Sequence, residues 1–117
     1  MATEKSKIII DELVNTSVDI IQLCKKIELP KSVVDQISRS VTSIGANFTE
    51  AQDASSKKDF INKIYIAKKE AAETRYWLAI IEKLSANQEV TELSQRVQRF
   101  VMMLQKIINT SKGVNGK

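Results

Sequence analysis

Glu70 and Glu73 stand three residues apart in a stretch rich in helix-forming residues, a spacing that sets two carboxylates on one helical face. Such a pair resembles half of an acid/base couple or of a di-iron centre, although bundles that hold di-iron build it from Glu-x-x-His pairs and single glutamates. The chain contains no histidine. That removes the usual general base, the Ser/His/Asp and Cys/His arrangements and most zinc sites together. Cys24 is the single cysteine, which excludes an intramolecular disulfide, and its place on an apolar seam suits a small buried hydrophobe better than a reactive thiol. No Gly-rich phosphate loop is present. The expectation is a protein with no catalytic residue, no metal site and no cofactor, in which Glu70 and Glu73 serve as solvated or interface charges.

Two other groups of polar residues rise above background. Ser40, Ser43, Asn47 and Glu50 recur at 3-4 spacing, one residue out of step with an apolar stripe on the same segment. They fit either a solvated face with small residues as filler, or a close contact with another helix or subunit in which Asn47 and Glu50 form specific hydrogen bonds. The second group is basic: Lys57, Lys58, Lys63, Lys68 and Lys69, followed later by Arg96, Arg99 and Lys106. With 18 Lys and Arg against 14 Asp and Glu, the net charge is +4 and the pI about 9.2, which suits an anionic partner. Each cluster alone also fits simple solubility, but a symmetric oligomer would repeat it and present several copies to one polyanion. Aromatic residues make up only 5%, so stacking on unpaired bases is not expected.

The elements that carry these residues follow from hydrophobic periodicity. Apolar positions predict four amphipathic helices, near residues 4–28, 33–53, 57–85 and 89–110, with a frayed tail over 111–117. The expected seams are Ile10, Leu13, Ile20, Cys24 and Ile27, with Ser17 interrupting; Val34, Ile37, Val41, Ile44, Phe48 and Ala51; Phe60, Ile64, Ala67, Ala71, Leu78 and Ile81; and Val90, Leu93, Val97, Phe100, Leu104 and Ile107. Ser32 and Ser56 each precede an Asp by three residues and are expected N-caps, while Asn87 is expected to close the third helix in left-handed geometry. Short connectors force antiparallel neighbours, so one domain with an all-α, antiparallel up-and-down four-helix bundle is predicted. A turn near Asp53 brings Arg39 close to Glu70. The longest apolar run, Tyr76 to Ile81, is far too short to span a membrane. With no leader legible and no disulfide, the cytoplasm is the expected compartment.

Three blocks also match a known pattern in order. The segment from Arg39 through Ser43-Ile44-Gly45-Ala46-Asn47 to Glu50, the segment from Ser56 to Ile61, and the segment from Lys69 through Glu73 to Leu78 resemble the four-helix bundle proteins encoded within intervening sequences of bacterial large-subunit ribosomal RNA genes. The likeness runs from about Val18 to Lys106. Ala51 departs from it, standing where the family usually has Gly, so the second helix is expected to run further before its turn. The resemblance implies a left-handed bundle that assembles into a homopentameric ring. It also implies kinship with accessory variability proteins of diversity-generating retroelements, which pair a basic pentamer with nucleic acid and a reverse transcriptase. Arg39, Asn47, Glu50 and Glu73 are the polar positions that match the family pattern, and they read first as structural or interface residues. The expected function is a nonenzymatic, oligomeric accessory protein that binds RNA or DNA through its basic residues. The alternatives are a scaffold that recruits a protein such as a reverse transcriptase, or a family member with no nucleic-acid role.

Overall fold

The computed structural model describes residues 3–113, which form four α-helices: α1 (Glu4–Lys26), α2 (Lys31–Ala51), α3 (Lys57–Leu84) and α4 (Gln88–Ser111). Each packs on its neighbour in the chain, and α4 returns to lie beside α1, while the diagonal pairs face each other across the core without close backbone approach. The neighbours are antiparallel. Glu50 meets Lys63 and Arg39 meets Glu70 across α2/α3, Lys26 meets Glu89 and Asp19 meets Arg96 across α1/α4, and Ser6 meets Gln52 across α1/α2. This is an up-and-down bundle, about 43 Å long. Its α2/α3 and α3/α4 contacts are extensive, and the α1/α4 side is the loosest.

Local chemistry explains the helix starts. Thr3 and Ser56 cap α1 and α3 by accepting from the N–H groups of Ser6 and Asp59, each at 3.0 Å. The Ser32 cap does not form. Pro30, with φ fixed at −57°, stands at the N-cap, and its carbonyl accepts from the N–H groups of Val33 and Val34, so α2 starts at Lys31 and Asp35 pairs instead with Lys31 at 2.8 Å. Asn87 does not close α3. It is extended (φ −131°, ψ 125°) and caps α4, with Oδ1 accepting from the Glu89 N–H at 2.8 Å, whereas α3 ends at an extended Ser85. At the carboxyl end Ser111 is still helical, and 114–117, where the remainder of the tail was expected to fray, lie outside the described residues.

The core seams are those expected for most of their length, with shifts of one residue. On α1 the buried positions are Ile9, Leu13, Thr16, Ile20 and Leu23, so Ile10, Ser17 and Cys24 stand one residue off, Ile10 and Ser17 on the flank facing α2. Burial still raises the Cys24 thiol pKa. In α2 a shift in the same direction puts Val33 inside in place of Val34, whereas in α4 the shift runs the other way, with Ile108 inside in place of Ile107. Phe60 is half-buried and packs against the core, with Ile64, Ala67, Ala71, Leu78 and Ile81 following it fully inside. Gly45 approaches α1, but an added Cβ would sit 3.6 Å from Leu13, ordinary contact that does not require glycine.

Candidate nucleic-acid interface

The polar stripe of α2 divides along its length. Ser40 is fully buried and shares a 2.8 Å hydroxyl hydrogen bond with the equally buried Thr74 of α3. Ser43 and Asn47 are half-buried and bonded to each other within α2, the Asn47 amide donating to the Ser43 carbonyl at 2.9 Å and to its hydroxyl at 3.1 Å. Glu50 is exposed and accepts from Lys63 of α3 at 3.0 Å. Arg39 reaches across the same seam, with Nη1 3.3 Å from Glu70 and Nη2 bonded to Glu73. Glu70 is only 9% exposed. Desolvation, reinforced by Glu73, raises its pKa, and Arg39 opposes the rise. All these residues except Ser43 and Asn47 thus join α2 to α3 within one chain.

The structure separates the candidate cations by how far each is already neutralised. Lys63 is held by Glu50, and Arg96 by Asp19 at 2.7 Å and by the Thr16 hydroxyl at 2.8 Å. Lys68 donates to the neutral Gln105 at 2.5 Å. Lys57, Lys58, Lys69, Arg99 and Lys106 form no ion pair among the described residues. Lys58, Lys69 and the unexpected Lys83 are all exposed on α3, and their spacing puts them on one outward line. The two tyrosines complete that line: positions 58, 65, 69, 76 and 83 follow steps of seven, four, seven and seven, and Tyr65 and Tyr76 are 40% and 61% exposed. Lys112, also unanticipated, donates to the Tyr65 hydroxyl at 2.9 Å and lies 5.0 Å from its ring centroid; that hydrogen bond, reinforced by the Lys112 charge, holds the Tyr65 pKa below the ordinary value.

The acids of α3 lie elsewhere. Glu70 and Glu73 turn toward Arg39 of α2, Asp59 accepts from the Ser55 N–H at the helix start, and Glu82 accepts from Thr91 of α4. The outward line therefore carries lysine and tyrosine without carboxylate. Sequence reasoning listed Lys58 and Lys69 but passed over Tyr65, Tyr76 and Lys83. The seven-residue spacing that locates core seams was the available signal, applied to the wrong residue types. Among the described residues no three Cys, Asp or Glu side chains gather as a metal site would require, and no helix is long and apolar enough to cross a membrane.

Fold and surface define an all-α four-helix protein with one cationic, tyrosine-bearing helix face. The sequence from residue 5 to residue 106 matches the 23S rRNA-intervening sequence protein family, and the chain belongs to that family. A crystal structure from Bacteroides thetaiotaomicron, described as a protein of unknown function from the S23 ribosomal protein family, is 34% identical, covering 85% of this chain and 96% of its own, with a TM-score of 0.74. No curated protein matches.

Proposed function

We propose that this chain is a nonenzymatic accessory protein that binds structured RNA, or other nucleic acid, as a homo-oligomer. The observation that supports this is the outward face of α3, where Lys58, Lys69 and Lys83 alternate with Tyr65 and Tyr76 and no carboxylate intervenes. Lysine ammonium groups along a helix contact phosphates without reading sequence, and, against the expectation from the 5% aromatic content, the exposed Tyr65 and Tyr76 rings between them offer faces for unpaired bases. Lys68 and Lys112 extend the field toward α4.

Oligomerisation is supported by α1. Besides its core seam it carries Ile10, Val14, Val18 and Ile21 beside a floor of Thr42, Gly45, Ala46 and Thr49 from α2, and together these line a recess of about 590 Å³. Val14 and Val18 are 54% and 47% exposed. A monomer gains nothing from leaving them in water, whereas a second copy of the chain would cover them. A ring, with five protomers as the family likeness implies, would repeat the α3 face around its circumference.

Fluorescence anisotropy with a structured RNA, repeated across salt concentrations, tests the reading. The Lys58→Glu/Lys69→Glu double variant should bind far more weakly and lower the salt slope by about two per protomer engaged, while Lys63→Gln, whose cation is already held by Glu50, should bind nearly as the parent does. Absence of binding to both RNA and DNA at low salt would overturn it, and co-purification of a protein partner after nuclease treatment would then favour a scaffold.

A further inference from the structure

The loosest side of the bundle contains a second polar feature, away from the α3 face. Between α1 and α4 a recess of about 470 Å³ is walled by Glu12, Asn15 and Thr16 on one side and by Arg96, Arg99 and Phe100 on the other. Met103, half-buried, and Phe100, nearly fully buried, give it an apolar floor. Arg96 is fixed in place, since Nη1 is bonded to Asp19 at 2.7 Å and Nη2 to the buried Thr16 hydroxyl at 2.8 Å. Arg99 and Glu12 are different. Both are exposed, both line the recess, and neither forms an ion pair among the described residues. Two opposite charges that border one cavity without joining each other leave a donor fork and a carboxylate available to a single ligand.

We propose that this recess takes one unstacked guanosine nucleotide. The chemistry of each wall selects it. A planar guanidinium offers paired N–H donors to phosphate oxygens, which assigns the ligand's phosphate to Arg99, while Arg96, neutralised by Asp19, shapes the wall beside it. A carboxylate accepts two parallel hydrogen bonds only from a ring edge with adjacent N–H donors. Among the four RNA bases guanine alone presents one, through N1–H and the exocyclic amine. Glu12 fills that role, the Asn15 amide offers a donor for the carbonyl of the same ring, and Phe100 and Met103 give the ring an apolar surface to rest on. The site adds base selectivity, which the lysine face of α3 does not supply, and it can be tested without any polynucleotide.

The test is a titration of the isotopically labelled full-length protein with guanosine 5′-monophosphate, adenosine 5′-monophosphate and inorganic phosphate, followed by amide NMR up to about 10 mM, the range in which single-nucleotide contacts are expected to saturate. The expected result is saturable shifts at Asn15, Thr16, Arg99 and Phe100 with the guanine nucleotide and an affinity about tenfold above that for the adenine nucleotide. Glu12→Gln should erase the preference for guanine, and Arg99→Ala should reduce the nucleotide's affinity to that of the nucleoside; both positions are exposed, so both variants keep the fold. No shift with the guanine nucleotide, equal affinity for guanine and adenine, or the same response to inorganic phosphate alone would each overturn the proposal. RNA binding that persists without nucleotide binding would leave the α3 surface standing and this site refuted. Nucleotide binding without RNA binding would do the reverse.

Discussion

Glu70 shows how much one side chain can reveal before a structure exists. Its meeting with Arg39 follows from the sequence, because a turn near Asp53 fixes the α2/α3 register and the two stripes then align; the 3.3 Å contact is where that register puts it. The burial of Ser40 does not follow. A serine at 3-4 spacing beside a core seam looks the same whether it faces water or a partner helix, and only Thr74, 2.8 Å away on α3, makes the site a buried hydroxyl pair. Glu70 itself is placed where its charged form is disfavoured. Since its folded-state pKa is raised above the ordinary value near 4.5, its contribution to stability is fully present below that value and is lost as pH rises through the raised one. Glu70→Gln removes this dependence while leaving Arg39 its bond to Glu73. Chemical denaturation at acid and neutral pH should therefore show the parent gaining on the variant as pH falls, and a pH-independent difference between them would refute the assignment.

At the scale of the helix, periodicity locates each element but does not choose between adjacent stripes when both are apolar. The α1 sequence carries Ile9-Ile10, Leu13-Val14 and Ile20-Ile21 as doublets, and Leu23 is followed by Cys24, so two parallel seams satisfy the 3-4 rule. The inner seam is the one through Leu23, because α1 must turn it to both α2 and α4. The other flank is what remains beside the α2 floor. Helix starts were legible where a side chain makes the cap, as at Ser56, and illegible where backbone geometry does, as at Pro30. The seam assignment has an energetic consequence. Leu23→Ala should destabilise the fold by about 3 kcal/mol, the usual range for a buried leucine, whereas Cys24→Ala should change it by less than about 1 kcal/mol. Equal losses in denaturant titrations would return Cys24 to the core.

For the whole molecule, charge and hydrophobicity are distributed in a way no single helix discloses. Glu70 and Glu73 of α3 turn to α2, Lys58, Lys69 and Lys83 face outward with Tyr65 and Tyr76, and the apolar surplus of α1 lies on another side, above Thr42 and Ala46. These assignments depend on which helices are neighbours, so the sequence clusters Lys57 to Lys69 looked like one patch although Lys63 belongs to the α2 seam and Lys58 and Lys69 to the open face. On the function proposed above, separation of the two surfaces means that assembly would be broken without touching the lysine face of α3. Val14→Glu/Val18→Glu places two carboxylates on half-exposed positions outside the core, so helicity and thermal midpoint should stay near those of the parent. Light scattering should show the parent as an oligomer and the variant as a monomer. In the same samples RNA affinity should fall steeply, because each particle now offers one α3 face instead of several, and the salt slope should shrink with the number of phosphates engaged. A parent that is already monomeric at micromolar concentration, or a monomeric variant that binds RNA with undiminished affinity and slope, would show that the apolar flank and the lysine face do not act together.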